Sequence, residues 1–114
     1  GAPYREFLHV DDLADACFFL MKKIDIPEIT RLFNDDKITC THINIGSGFD
    51  TTIKSLALLI ALTVGFKGKV IWDTSKPDGT YRKLLDISRL KFLGWNNKIK
   101  MEEGISAVYN IYVS

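Results

Sequence analysis

The chain has too little of several things for whole classes of function to be open to it. Its 114 residues hold only two cysteines, Cys17 and Cys40, and two histidines, His9 and His42. They form neither a CxxC pair nor metal-ligand spacing, so reduced thiols, a cytoplasmic setting and no bound metal are expected. Charge of one sign is also missing. Fifteen basic residues face fourteen acidic ones, for a formal net charge of +1, and the two signs are interspersed. That leaves no electrostatic footprint for nucleic acid or for an anionic membrane surface, and any basic site must be local. No long apolar run occurs either. The longest, from Leu56 to Phe66, is broken by Thr63 and Gly65 and is too short to cross a bilayer. No charged and apolar leader is visible at Gly1. What remains is 46% apolar and 25% charged residues, a balance that suits one small globular α/β domain over residues 1–114.

The most informative stretch is SKPDGTYRKLLDISRLKFLGW, from Ser75 to Trp95. Pro77, Asp78 and Gly79 read as a turn. Leu84 and Leu85 are expected to bury, and Asp86 or Ser88 to cap a short helix. Leu90, Phe92 and Leu93 would anchor that helix, and Gly94 with Trp95 would end it. Between turn and helix stand two adjacent cations, Arg82 and Lys83. A planar donor fork beside a compact point charge suits a phosphate or diphosphate. The plainer reading is a pair of solvated surface cations.

Along the rest of the chain, residues 1–7 lead into a short extended piece, with Pro3 turning Ala2 away from helix. His9, between apolar neighbours, reads as a hydrogen-bonded structural histidine. Asp11 is the expected N-cap of a helix reaching about Lys22, with Asp12 and Asp15 needed only for its positive end. Leu13, Ala16, Cys17, Leu20 and Met21 recur at helical spacing, which places Cys17 on the buried stripe, while Phe18 and Phe19 widen the apolar surface. Lys22 to Thr41 reads as a variable connection with a short helix around Glu28 to Phe33. His42 to Ile45 reads as a strand running into Gly46 and Gly48. A dinucleotide fingerprint fails there because Thr51 stands where the third glycine belongs. Thr52 caps a helix to about Val64, stopped by Gly65 and apolar nearly all round, as a core helix is. Lys69 to Asp73 alternates like a strand, with Trp72 in the core. Glu102 and Glu103 open a last helix that would bury Met101, Ile105, Val108 and Tyr112.

Four stretches, REFLHVDDLADA, HINIGSG, DTSKPDGTYRKLLDISRLKFLGW and EEGISAVYNIY, resemble in order and spacing the C-terminal part of the GDP-L-fucose synthase family of extended short-chain dehydrogenases. Tyr81 departs from that family, which usually has proline there. The resemblance implies a C-terminal substrate-side fragment with three main helices and a few short strands. It implies an NADP-dependent enzyme that epimerises and reduces GDP-4-keto-6-deoxy-D-mannose, with NADP held by a Rossmann domain upstream of Gly1 and the whole enzyme a homodimer; the alternatives are the C-terminal part of another sugar-nucleotide epimerase or dehydratase, whose C-terminal domains share the REFxHVDD-like wording, and a sugar-nucleotide binding module without chemistry of its own. It also implies that the strand at HINIGSG joins the edge of the cofactor domain's sheet. Arg5, Lys69, Arg82 and Lys83 are the substrate-binding residues it points to. No catalytic and no cofactor-binding residue is expected here, since no tyrosine is followed by lysine four residues on and no glycine loop is complete. The fragment alone is expected to be inactive and, with apolar helices lacking a partner, to self-associate.

Overall fold

Among the described residues, three short strands and five helices follow one another: β1 (Tyr4–Glu6), α1 (Val10–Lys23), α2 (Ile26–Phe33), β2 (Asp50–Thr52), α3 (Ile53–Thr63), β3 (Arg82–Lys83), α4 (Ser88–Phe92) and α5 (Met101–Val113). The structure, a computed structural model, describes residues 1–33 and 41–114. Cys40 and the 34–40 part of the expected connection lie outside the described residues. The elements sort into two compact units. One comprises Gly1–Phe7, Phe49–Leu84 and Ile99–Ser114, and the other Leu8–Gly48 and Leu85–Lys98.

The first unit is built on β1, the central strand of a three-stranded sheet ordered β2-β1-β3. β2 runs antiparallel to β1 and β3 parallel to it. Aromatic Tyr4 and β-branched Thr51 and Thr52 suit such a pleated surface. The residues before β1 also start α3. Gly1 O accepts from Lys54 N at 2.9 Å and Pro3 O from Ile53 N at 3.0 Å, while Thr52 Oγ1 accepts from Ser55 N at 3.0 Å. Three first-turn N–H groups, which no helix can satisfy internally, thereby find partners. At the other end Gly65, at φ 69°, lets Phe66 N return to Ala61 O and Gly65 N to Leu62 O, a Schellman ending of the expected kind. α5 lies beside α3, with Gly104 buried.

Several sequence expectations fail in this unit. Residues 69–73 form no strand, because no neighbouring strand lies beside them to pair with among the described residues. Trp72 is 38% exposed rather than core; its ring covers Gly1 so closely that a Cβ there would lie 2.9 Å from it. The turn falls earlier than Pro77: Ser75 N donates to Asp73 Oδ1 at 2.9 Å, and the Ser75 hydroxyl and N–H hold the Asp73 carboxyl below its ordinary value. Leu84, Val108 and Tyr112 are exposed, as are Leu58, Ile60 and Leu62 of α3. The main neighbours of this all-round apolar helix among the described elements are α5 and β2, too few to cover it.

The second unit closes around Ala16, Ile87, Leu90 and Trp95, with Leu8, Phe19, Leu20, Ile43 and Ile45 packed against them. α1 is capped by His9 rather than Asp11: His9 Nδ1 accepts from Asp11 N at 3.2 Å, while His9 Nε2 is buried with no hydrogen-bond partner among the described residues. Asp12 and Asp15 do more than face a helix dipole. Asp12, 2% exposed, accepts from Lys98 N through both oxygens, at 3.2 and 3.1 Å. Asp15 accepts from Trp95 Nε1 at 2.8 Å and from Lys98 Nζ at 3.0 Å. α4 begins where Asp86 Oδ1 accepts from Ser88 N at 2.9 Å, which lowers the Asp86 pKa. Gly94, at φ 100°, ends it through Gly94 N to Lys91 O and Trp95 N to Leu90 O, a second Schellman ending. α2 starts at Asp25, whose Oδ1 accepts from Glu28 N at 2.9 Å.

Here too the sequence misleads in places. Cys17 is exposed, not on the buried stripe; the stripe narrows to Asp12 and Ala16. Leu85 and Phe92 are exposed. Residues 42–45 pack Ile43 and Ile45 inward but form no strand, since none runs beside them among the described residues.

Two outcomes follow. The Trp95 indole N–H, and behind it Lys98, hold the Asp15 carboxyl below its ordinary value. A depressed carboxylate stabilises the fold above its unfolded value of about 3.9 and loses that contribution as pH falls through the lower folded value. The NMR resonance of the Trp95 indole proton is therefore expected to shift as acid is added below about pH 4, and Asp15→Asn to remove that acid step. Gly48, at φ 75°, has Ile87 Cδ1 2.7 Å from where a Cβ would stand. Gly48→Ala is expected to cost about 1–3 kcal/mol by urea unfolding.

Candidate functional site

The register of the small sheet decides which expected site residues meet. Arg5 stands opposite Thr51 on one side and Lys83 on the other. Tyr4 stands opposite Thr52 and Arg82. Successive side chains of a strand leave opposite faces. Thr51, Arg5 and Lys83 thus form one row on one face, and Thr52, Tyr4 and Arg82 a row on the other. The expected Arg82–Lys83 pair is therefore divided by the sheet, and it is Arg5 that Lys83 has as its same-face cationic neighbour.

Arg82 is not held out for a ligand. Its Nε donates to Asp50 Oδ2 at 2.5 Å and its Nη2 to Asp50 Oδ1 at 3.1 Å. The side chain of Asp50 is 8% exposed against 58% for that of Arg82. The guanidinium carbon lies 5.9 Å from the Tyr4 ring centroid, and Tyr81 meets Tyr4 edge-on at 5.7 Å. Asp50, by hydrogen bond first and charge second, raises the Arg82 pKa further. In this structure the Arg82 fork bridges β3 to Asp50 on β2, so it acts within the sheet as a clamp. Neither Asp50 nor Tyr4 was marked by any motif; only the pairing register brings them to Arg82.

Arg5 Nη1 donates to Tyr4 O at 2.5 Å, and its Nη2 lies 3.5 Å from where a Cβ on Gly79 would stand. The segment before β3 therefore runs beside the guanidinium. Among the described residues no ion pair engages the Lys83 ammonium. Lys69 is exposed in the irregular segment after α3, outside the β1–β3 ladder that pairs Arg5 with Lys83. In chemical terms the row offers a fork and a point charge 1 strand apart, about 5 Å between backbones, a spacing that two phosphate oxygens can bridge.

A polar cleft of about 200 Å³ in the second unit is lined by His42, Asn44, Asp86, Ser88 and Arg89. Its groups are engaged with one another. Asn44 Nδ2 donates to Asp86 O at 3.1 Å, and Arg89 Nη1 to His42 O at 3.4 Å. Arg89 also lies over the Phe33 ring, 5.6 Å from its centroid.

Among the described residues, the Gly46–Gly48 turn does not form a dinucleotide cradle. Gly46, Ser47 and Gly48 lead into β2, not into a helix N-terminus, and Ile87 fills the space beside Gly48 that a pyrophosphate would approach. Among the described residues no cluster could hold a metal ion, and no helix is long and apolar enough to cross a membrane.

No family model matches the chain. It is 52% identical over 99% of its length to "Putative GDP-L-fucose synthase 2" of Arabidopsis thaliana, of which it covers 30%. It is 47% identical, over 99% of its length, to "GDP-L-fucose synthase" of Escherichia coli strain K12, of which it covers 34%. Among solved structures, a GDP-D-glycero-L-gluco-heptose synthase from Campylobacter jejuni, crystallised in the presence of NADPH, matches all of the chain with a TM-score of 0.84 and 38% identity. The chain covers 31% of that protein, and so spans about a third of the length of each of these.

Proposed function

We propose, for a chain that belongs by sequence and fold to the C-terminal part of the GDP-L-fucose synthase family of extended short-chain dehydrogenases, that it supplies the GDP-sugar grip of a longer NADP-dependent enzyme. The observation that carries this is the row of Arg5 and Lys83 on one face of the sheet. The longer protein would epimerise GDP-4-keto-6-deoxy-D-mannose at its third and fifth ring carbons and reduce the keto group to give GDP-L-fucose. The 4-keto group acidifies the adjacent carbons, so general acid/base side chains can exchange their protons. NADPH would supply the hydride.

This chain's residues position rather than react. Lys83 would hold a diphosphate oxygen as a point charge and Arg5 a second through its fork, fixing the sugar for chemistry done by residues outside this chain. Lys69 would reach the nucleotide from the segment after α3. Arg82 would contribute through the sheet. The similarity to a GDP-heptose synthase favours a second reading, in which the GDP moiety is the same and the sugar differs; turnover of GDP-linked 6-deoxy-hexose and heptose substrates by the longer protein separates the two. A cytoplasmic setting fits an exposed, free Cys17. The longer protein is taken as a homodimer.

In that longer protein, Lys83→Ala is expected to weaken GDP-sugar binding by about ten- to a hundredfold, the loss of a charge-assisted contact. NADPH affinity and the fold should be unchanged, and Lys83→Arg should recover only part of the loss. Titration calorimetry reads all three. Wild-type GDP-sugar affinity in Lys83→Ala would return the row to solvated surface cations.

The 114-residue chain alone is expected to consume no NADPH with any GDP-sugar. It is also expected to self-associate, since Phe18 and Met21 of α1, Leu58 and Leu62 of α3 and Ile111 of α5 are all exposed. A stopped-flow absorbance trace showing NADPH oxidation, or a concentration-independent monomer in sedimentation, would count against the respective expectation.

A further inference from the structure

We infer that Asp50 is a positioning residue for the anion-binding row: through Arg82 it fixes β3 so that Lys83 faces the same side as Arg5. The inference rests on the reading of Lys83 as a ligand-binding group. β3 is two residues long and pairs with β1 alone. So short a ladder specifies its register weakly. The added constraint is the Arg82 guanidinium, which passes beside the Tyr4 ring to reach Asp50 on β2, the strand at the opposite edge. The clamp spans the whole sheet. Two N–H donors on two carboxylate oxygens fix orientation as well as distance, and the Asp50 side chain, 8% exposed, lies beneath the guanidinium.

The order Arg then Lys follows from this. Because side chains alternate, clamping residue 82 on one face delivers residue 83 to the other. A slip by one residue would set Lys83 on Asp50, where an ammonium cannot make the two-point contact, and would carry Arg82 to the ligand face. Asp50 therefore selects the register through the geometry only arginine can satisfy. A carboxylate near a diphosphate site would otherwise repel its ligand; bonded to Arg82 it does not.

The experiment uses the longer protein that carries this chain, with GDP as the probe in titration calorimetry. Asp50→Ala is expected to weaken GDP binding about tenfold, with NADPH affinity retained as the control for folding. On a Lys83→Ala background the same substitution should change GDP affinity little, since its effect passes through Lys83. Arg82→Lys keeps the charge and loses the fork, and is expected to weaken GDP binding several-fold; it is the milder variant should Asp50→Ala fail to fold. Asp50→Glu should recover part of the loss.

Tighter GDP binding in Asp50→Ala would mean that Asp50 only masks Arg82, and would overturn the inference, as would full additivity with Lys83→Ala or wild-type affinity in Arg82→Lys. If Lys83→Ala weakens GDP binding and Asp50→Ala does not, the positioning role alone is overturned. If Lys83→Ala is itself without effect, the binding row is wrong and the inference falls with it.

Discussion

The first unit depends on the chain's opening residues being in one place for two purposes. Gly1 and Pro3 lend their carbonyls to the first turn of α3, and the next three residues form the central strand of the sheet. A helix start costs several unsatisfied N–H groups wherever no acceptor is at hand. Here the acceptors come from the segment leading directly into the strand that orders β2 and β3, so the register of the sheet and the position of α3 are set together. Trp72 closing over Gly1 holds that segment from its other side. The cationic row inherits its geometry from this arrangement. Arg5 sits on the strand that has neighbours on both sides, while Lys83 sits on a strand with one neighbour and needs a second constraint.

The second unit solves a different problem with the same economy. α1 brings two carboxylates, Asp12 and Asp15, to residues 95–98. A buried indole requires a partner for its N–H, and a carboxylate as buried as Asp12 requires donors; each demand answers the other. The Trp95 ring can then complete the apolar cluster around Leu90 without leaving a polar atom stranded. His9 is the exception. One nitrogen caps α1 and the other is buried with no hydrogen-bond partner among the described residues.

Where a signal was local, the sequence was legible. Thr52 caps α3, Asp86 accepts from the first N–H of α4, and Gly65 and Gly94 end helices with positive φ, because such signals are read by residues a few positions apart. Where the outcome depended on a distant partner, it was not. Residues 42–45 and 69–73 carry strand-like patterns, yet a strand exists only when another lies beside it. Cys17, Val108 and Tyr112 sit at helical spacing with buried residues, yet burial needs a surface to meet. The site divides the same way. Arg5 and Lys83 stood out by residue type and resemblance, but their meeting is a matter of register. Arg82 looked equivalent to Lys83 until pairing gave it Asp50.

A net charge near zero makes that division matter more. A strongly basic protein would draw an anionic ligand by its overall field and tolerate an imprecise site. This chain has no such field, and at physiological salt charges more than about 8 Å apart are largely screened. On the proposed reading, attraction for a diphosphate comes from Arg5 and Lys83, placed one strand spacing apart, with the Asp50 carboxylate paired to Arg82. Two exposed long side chains would ordinarily lose much of their advantage to rotamer freedom. Anchoring their backbones in a clamped sheet reduces the part of that loss that arises from the strand, and leaves only the side chains to be ordered by the ligand. On the proposed reading, the Arg82–Asp50 ion pair holds β3 so that Lys83 can meet the ligand.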